Sequence, residues 1–424
     1  MREVEQDKFR RKALPVAEAQ AKIMPYAKAT DTEMVSLPEA HGRILAKPID
    51  APHPYPHFRR SGMDGFAIFS SDTTSCHAGQ PVHLEVVDEI PAGSVPQVKL
   101  KPGQAARIMT GAKVPDEADA VVMFEMTESV LQEGHLHIRL IREIEPGKNI
   151  TPIGLELSQG DVILEAGRKL TAGEISVLAT FGIHRVPVMK RPRIAVFSTG
   201  SELLRIDEPL QDGRIRNSNT YLLYSQITEA GGEPFLFEAI EDDLAKAKAQ
   251  VEAAFENYDV VVTTGGVSVG DYDIMADLVS GDSVDMLFNK VTMRPGSVTT
   301  AAVKDGKLLF ALSGNPGACF VGFELFVRPA IGRMMGIAQP FLPELTAELA
   351  RSYRKINNFT RFVRGRLEFR EGKLYAIPAE LDESGVMITI KDSDALIVIP
   401  PSNTGVEAGE RVTVLKLPGG FHSF

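Results

Sequence analysis

The sequence predicts a multidomain α/β protein: a central α/β domain on a parallel sheet, a β-rich insert domain and a small C-terminal β-barrel domain. The first observation is the regular alternation of strand and helix patterns between residues 193 and 264, since such units form parallel sheets with right-handed crossovers. The second is the strand-like composition on either side of that segment. The third is the length of 424 residues, which exceeds what one hydrophobic core supports.

Two domains are predicted in the first 190 residues. An N-terminal helical domain consists of residues 1–50 and 151–190, and a β-rich domain at 51–150 interrupts it. An amphipathic helix begins near Val16, and a second one runs from Thr171, whose hydroxyl can cap it, to Thr180. Four prolines between residues 48 and 56 form a stiff connector, because each restricts its own φ and that of its predecessor. The strands predicted in the β-rich domain are 82–87, 105–109, 120–124 and 135–139.

The α/β domain is predicted at residues 191–330 and the barrel domain at 331–424. The predicted strands of the α/β domain are 193–198, 235–240, 260–264, 290–293 and 308–311, and its helices are 219–230 and 242–257. In the barrel domain the predicted strands are 362–369, 374–377 and 395–399. Turns at Gly372 and Gly409 separate strand-like segments there, and the barrel is expected to end at Leu417.

Composition excludes several functional classes. The net charge of −10 argues against a nucleic-acid binder with a broad basic face. With 2 cysteines, the chain has no disulfide framework and no cysteine-rich zinc site, which predicts a reducing compartment. No run of about 18 apolar residues predicts a membrane span, and the charged N-terminus is unlike a signal peptide. The prediction is therefore a cytoplasmic protein that binds neither nucleic acid nor membrane.

The stretch 259–273 has the pattern of a buried strand that ends in a glycine-rich loop. Glycines let the backbone approach a ligand and present amide groups to an anion; the loop residues concerned are Gly265, Gly266, Ser268 and Gly270. Asp271 and Asp273 follow, and two carboxylates beside an anion require a hard cation between them. This predicts a magnesium-bridged phosphate or phosphoanhydride. The alternative is a turn that binds nothing, which is common in doubly wound domains.

Two further loops repeat this design. The strand at 193–198 leads into Ser198, Thr199 and Gly200, followed by the acid Glu202. A third strand leads into the sequence Ser313, Gly314, Asn315 and Pro316. Because ligands gather at the carboxyl ends of strands in open α/β sheets, we expect the loops to share one crevice. Arg294 follows a predicted strand and can bind an oxyanion there, the alternative being a solvated arginine.

In the β-rich domain, Asp64 and Gly65 form a turn signal whose simplest interpretation is a hairpin. At this point seven motifs together resemble the molybdopterin molybdenumtransferases, the MoeA family, which includes the gephyrin E domain. The motifs are Ser-Gly-Met-Asp-Gly-Phe-Ala (61–67), Met-Thr-Gly-Ala (109–112), Ser-Thr-Gly-Ser-Glu-Leu (198–203), Arg-Asn-Ser-Asn (216–219), Thr-Gly-Gly-Val-Ser-Val-Gly-Asp-Tyr-Asp (264–273), Arg-Pro-Gly (294–296) and Ser-Gly-Asn-Pro (313–316).

The resemblance covers nearly the whole chain and implies insertion of molybdate into adenylylated molybdopterin, with magnesium-dependent release of AMP. It implies that the α/β domain binds molybdopterin and that the residues needed for activity are Asp64, Thr110, Glu202 and Asp271. Glu202 and Asp271 are then the magnesium candidates, and Arg364 and Ser384 belong to the molybdate pocket. This chain has Arg294-Pro-Gly-Ser297 where the family has Lys-Pro-Gly-Lys, and Ser313 where the family has proline.

The resemblance also implies a homodimer in which Asp64 serves the crevice of the other subunit, and a molybdopterin adenylyltransferase as a partner. Two alternatives remain open. One is a molybdopterin adenylyltransferase, although those enzymes lack the flanking β domains. The other is a scaffold that clusters partners, as gephyrin does; it requires a partner-binding groove or a fused module.

Overall fold

The computed structural model describes residues 13–77, 79–237, 244–265 and 284–419. The strands in chain order are β1 Thr32–Ser36, β2 Ile49–Asp50, β3 Arg60–Ser61, β4 Gly65–Ile68, β5 Val82–Ile90, β6 Gln104–Ile108, β7 Ala120–Met123, β8 Glu128–Gln132, β9 His135–Leu140, β10 Ile150–Thr151, β11 Val162–Leu164, β12 Arg185–Met189, β13 Arg193–Ser198, β14 Leu203–Leu204, β15 Ile215–Arg216, β16 Glu233–Leu236, β17 Val260–Thr264, β18 Val284–Phe288, β19 Met293–Arg294, β20 Thr300–Lys304, β21 Lys307–Leu312, β22 Glu344–Leu349, β23 Thr360–Arg370, β24 Lys373–Pro378, β25 Ala395–Ile399 and β26 Arg411–Lys416. The helices are α1 Val16–Ile23, α2 Ala172–Thr180, α3 Asn219–Glu229, α4 Leu244–Asn257, α5 Pro316–Gly322 and α6 Arg328–Met334, the last two joined by a π-helical turn at Phe323–Val327.

The described residues form two compact units. Unit 2 consists of the described residues of Pro48–Glu165 and Ser176–Ile183, and unit 1 contains the other described residues. The division into four domains at 1–50 with 151–190, 51–150, 191–330 and 331–424 stays a prediction.

The central sheet of unit 1 has six strands in the order β16-β13-β17-β21-β20-β18. The first four are parallel to one another. β20 runs antiparallel to them, and β18 is antiparallel to β20 and therefore runs in the direction of the first four. Val260 and Val262 on β17 pack into one apolar cluster, whereas Val261 packs into a second cluster with side chains of α4. Burial on both faces explains the uninterrupted apolar run that predicted this strand.

The prediction that residues 290–293 form a strand of this sheet is wrong. The strand found there is β19, and it pairs with β23 instead. The sheet is completed by β18 and by the β20–β21 hairpin, whose turn residues Asp305 and Gly306 have φ of 51° and 77°. An Asp-Gly pair between two apolar runs is a strong hairpin signal, so the sequence carried the information for this element.

The C-terminal part of unit 1 is a closed barrel. Strands β23, β24, β22, β26 and β25 pair in that order, and β25 pairs back with β23. The predicted strands lie within β23, β24 and β25, and the predicted barrel is confirmed, whereas β22 and β26 were not predicted. Its interior is an apolar cluster that includes Val363, Leu367 and Ile397.

Unit 2 is built on a six-stranded sheet in the order β7-β4-β6-β5-β9-β8. The hairpin interpretation of Asp64 and Gly65 is wrong, because β4 pairs with β6 and β7 while β3 pairs with β10. A Cβ atom on Gly65 would lie 1.9 Å from the Val122 carbonyl oxygen, so this glycine is required by close strand packing.

Candidate active site

Three strand ends meet at one edge of the central sheet. β13, β17 and β21 are neighbours, and they end at Ser198, Thr264 and Leu312. The Thr199 amide donates to the Thr264 carbonyl at 3.0 Å, and the Gly265 amide donates to the Leu312 carbonyl at 3.2 Å. The structure therefore places the loop after Ser198, Gly265 and the loop after Ser313 side by side.

Gly265 occupies a position that no other residue fits. Its φ is +90°, and a Cβ atom there would lie 2.3 Å from the Thr199 carbonyl oxygen. The glycine thus allows two strand ends to approach each other closely. The next predicted site residues lie outside the described residues; they are Gly266, Ser268, Gly270 and Asp271.

Glu202 folds back over the strand end. A Cβ atom on Gly200, whose φ is +146°, would lie 2.4 Å from Glu202 Oε2. The carboxylate is exposed, and the described part of the chain supplies it with no hydrogen bond or ion pair. An unpartnered carboxylate beside a phosphate-type loop has the oxygen chemistry that magnesium prefers, so Glu202 fits a magnesium ligand.

Two asparagines before and at the start of α3 connect these loops. Asn217 Nδ2 donates to Ser198 Oγ at 2.7 Å. Asn219, which is buried, donates through Nδ2 to Thr264 Oγ1 at 2.9 Å and to the Gly314 carbonyl at 2.8 Å. The motif at 216–219 was part of the resemblance, but neither residue was assigned a role. The pattern of two polar amides directly before a predicted helix was the signal available for them.

We expect Asn219→Ala to loosen the site. The substitution leaves the buried Thr264 hydroxyl without its donor, which costs about 1–3 kcal/mol of unfolding free energy, and it removes the side-chain link between two of the three strand ends. Affinity for adenylylated molybdopterin, measured by calorimetry, should fall with the stability. Asn257→Ala is the control, since its amide bonds only the exposed end of α4. Unchanged affinity in a destabilised Asn219→Ala protein would contradict this role.

The third loop also contacts the C-terminal barrel. Asn315 Nδ2 donates to Ser384 Oγ at 3.3 Å, and the Gly317 amide donates to the Ser384 carbonyl at 2.9 Å. Arg364 is 1% exposed and lies against Gly317, where a Cβ atom would be 1.9 Å from Arg364 Nη1. The structure therefore brings the two barrel residues, Arg364 and Ser384, together with the predicted loop at Ser313–Pro316.

The Arg364 guanidinium has one nitrogen left for a ligand. Its Nε donates to Thr389 Oγ1 at 3.1 Å and its Nη2 to the Glu383 carbonyl at 3.2 Å, while no described residue accepts a hydrogen bond from Nη1. Burial lowers the pKa of Arg364, and the carboxylates of Asp382 and Glu383 oppose that shift. Since arginine stays protonated in proteins, the residue offers a buried cationic donor.

Arg294 is placed differently. It ends β19, it is exposed, and its guanidinium carbon lies 5.8 Å from the centroid of the Phe359 ring. No hydrogen bond or ion pair joins it to another described residue. A predicted role in oxyanion binding therefore stays a prediction, and Arg364 is the more buried of the two cations.

In unit 2 the structure brings Asp64 and Thr110 together. Asp64 Oδ1 accepts hydrogen bonds from the Thr110 amide at 2.6 Å and from the Thr110 hydroxyl at 2.7 Å. Both hydrogen bonds lower the pKa of Asp64 below its ordinary value, and the bond from the main-chain amide has the larger effect. The carboxylate is thus charged and held in one orientation.

Unpartnered polar atoms mark the strand-end site. Five buried side-chain nitrogen or oxygen atoms of the described residues have no hydrogen-bond partner, and three of them belong to Thr199, Asn219 and Arg364. Each unpaired buried group costs about 1–3 kcal/mol unless a ligand satisfies it. Their position around the loops after β13, β17 and β21 indicates a site that a polar ligand completes.

Across residues 13–77, 79–237, 244–265 and 284–419, no group of three histidine, cysteine, aspartate or glutamate side chains is arranged to hold a metal ion. In the same ranges we find no helix whose length and apolar character suffice to cross a membrane.

Fold and site together define an α/β protein with a polar crevice at the carboxyl ends of its parallel strands, next to a C-terminal β-barrel, which is where open α/β sheets bind ligands. Three family models match the chain: MoeA N-terminal region (domain I and II) at residues 14–182, probable molybdopterin binding domain at 195–333 and MoeA C-terminal region (domain IV) at 346–417. The chain belongs to the MoeA family of molybdopterin molybdenumtransferases.

Individual relatives agree. The molybdopterin molybdenumtransferase of Bacillus subtilis is 44% identical over 408 residues, which cover 96% of this chain and 95% of that protein. The enzyme of the same name from Staphylococcus aureus strain MRSA252 is 40% identical over 406 residues, and the match covers 96% of each chain. The crystal structure of the molybdopterin biosynthesis MoeA protein from Pyrococcus horikoshii is 30% identical, has a TM-score of 0.82, and the match covers 96% of this chain and 100% of that chain.

Proposed function

We propose that the protein inserts molybdate into adenylylated molybdopterin in molybdenum cofactor biosynthesis and releases AMP. The observation that carries the proposal is the convergence of unpartnered buried polar atoms, including the cationic Nη1 of Arg364, at one edge of the sheet. Membership of the MoeA family supports it, because the relatives' matches extend over the flanking domains as well as the α/β domain.

Two halves of the site have different tasks in this proposal. Backbone amides in the loops that follow Thr199 and Gly265 receive the phosphates of the adenylylated pterin, as in glycine-rich loops. Arg364, with Ser384 and Asn315, holds molybdate as the second substrate, since a guanidinium suits a tetrahedral oxyanion. The two sets adjoin at Gly314, whose added Cβ would lie 3.4 Å from the Gly265 Cα.

Magnesium dependence is part of the proposal. Glu202, together with Asp271, would hold the ion beside the phosphates. A bound magnesium ion supplies charge neutralisation for a phosphoanhydride and its leaving group. Glu202 itself contributes a carboxylate at the strand end. It can lie there because Gly200 has no side chain.

A molybdate titration tests the proposal. AMP release and cofactor formation are measured with adenylylated molybdopterin, once with magnesium and once with a chelator. We expect both products to rise together with molybdate and to require magnesium. AMP release without molybdate, or cofactor formation without AMP, would contradict the proposed reaction.

We also propose that the protein works in the cytoplasm as a homodimer, with Asp64 of one subunit acting on the crevice of the other and with a molybdopterin adenylyltransferase supplying the substrate. Inactive Asp64→Ala protein mixed with inactive Glu202→Ala protein should then regain part of the activity through hybrid dimers, each with one intact site. No recovery after demonstrated subunit exchange would rule out the shared site.

A further inference from the structure

The segment that carries Ser384 contains two buried acidic residues, Asp382 and Asp394, and Asp382 lies two positions before Ser384. Residues 379–394 connect β24 to β25 and contain only one short 3₁₀ turn, Ile390–Asp392. Glu383 and Met387 in this segment are exposed, whereas Asp382 is 6% exposed. A carboxylate is rarely buried unless it is paired, so its partners show what the burial achieves.

Three donors from the barrel surround the Asp382 carboxylate. The Tyr353 hydroxyl donates to Oδ2 and the Lys355 ammonium to Oδ1. Arg361 Nη1 reaches Oδ2 at 3.4 Å. None of these donors belongs to the segment itself, and Arg361 lies on β23, which also carries Arg364. The interaction thus attaches the segment to the barrel from three sides.

This attachment determines where the next two residues lie. The Glu383 carbonyl accepts from Arg364 Nη2 at 3.2 Å, and the Ser384 carbonyl accepts from the Gly317 amide at 2.9 Å. Asp382 also pairs with Lys355 and Arg361, and Glu383 pairs with Lys355 as well, so the two carboxylates balance both cations and reduce their competition with Arg364 for an anion. A carboxylate in this position orients the site and keeps its positive charge at one place.

We propose that Asp382 is a positioning residue for molybdate: it holds Ser384 and the Glu383 carbonyl against Arg364 and pairs with the two neighbouring cations. The inference rests on the proposed function, since it assigns molybdate to the Arg364 and Ser384 pocket. Asp382 itself does not contact the substrate.

The test is sodium molybdate binding by calorimetry together with steady-state kinetics for Asp382→Asn. We expect the molybdate Kd and KM to rise about tenfold, as for other residues that orient a ligand-binding group, with kcat little changed. Glu380→Gln is the control, because Glu380 lies in the same segment as Asp382 but forms only an exposed ion pair, with Arg351. An Asp382→Asn protein that binds molybdate like wild type overturns the inference, and so does a fall in kcat at constant KM.

A double-mutant cycle separates positioning from a general effect on the fold. In the Ser384→Ala background, Asp382→Asn should raise the molybdate Kd by clearly less than in wild type, because both act through one contact. Additive effects contradict the inference. If Asp382→Asn does not fold, Tyr353→Phe is the deciding variant, because it removes one hydrogen-bond donor to Asp382 and no charge. We expect Tyr353→Phe to raise the molybdate Kd by less than Asp382→Asn would. An unchanged Kd overturns the inference. Wild-type protein that fails to bind molybdate contradicts the proposed function instead.

Discussion

Arg364→Met should abolish productive molybdate binding while the protein stays folded. Removing one member of a buried, hydrogen-bonded charge contact costs about 2–5 kcal/mol, which is roughly a 30-fold to several-thousand-fold rise in Kd. Stability should hold, because Arg364 is a buried cation with an unpartnered Nη1, and methionine replaces it with an apolar chain of similar length. Sodium molybdate calorimetry and urea unfolding measure the two quantities.

Two comparisons sharpen this prediction. Arg366→Met on the same strand is the control, because Arg366 is exposed, and it should leave the molybdate Kd unchanged. Arg294→Ala should have a smaller effect than Arg364→Met, since Arg294 is exposed beside Phe359. Equal molybdate affinity in Arg364→Met and wild type would refute the assignment of the pocket and direct attention to Arg294.

Gly265→Ala should remove binding of adenylylated molybdopterin. The new Cβ atom would lie 2.3 Å from the Thr199 carbonyl oxygen, so backbone must move and the ends of β13 and β17 must separate. The positive φ adds about 1–2 kcal/mol, and with the clash we expect a loss of more than about 3 kcal/mol of unfolding free energy. Calorimetry with the adenylylated pterin and urea unfolding test both expectations.

Gly213→Ala separates the cost of the positive φ from the cost of the steric clash. Gly213 has a φ of +74°, but a Cβ atom there meets nothing within 4 Å, so only the backbone term applies. We expect a modest loss of stability and unchanged pterin affinity. If Gly265→Ala behaves like Gly213→Ala, the close approach at Thr199 has no role in the site.

Much of the α/β domain was predictable because its signals are local. Val260 to Val262 form a continuous apolar run since both faces of β17 are covered, and Gly265 ends the run where the chain must turn. The strand at 290–293 was assigned to the wrong sheet because an apolar run shows that a segment is buried and not which strand it pairs with. The Asp305-Gly306 turn would have directed attention to β20 as the hairpin partner of the strand predicted at 308–311.

The fold class, the strand ends of β13 and β17 and, through seven motifs, the family could be predicted from the sequence. These follow from periodicity, glycine positions and residue order, which are properties of short segments. Only the tertiary structure showed that Asn219 links two strand ends, that Arg364 keeps one unpartnered nitrogen, and that Asp382 anchors the segment with Ser384. These contacts join residues that are 19 to 95 positions apart along the chain, and the packing of the sheet and the barrel decides which of them meet.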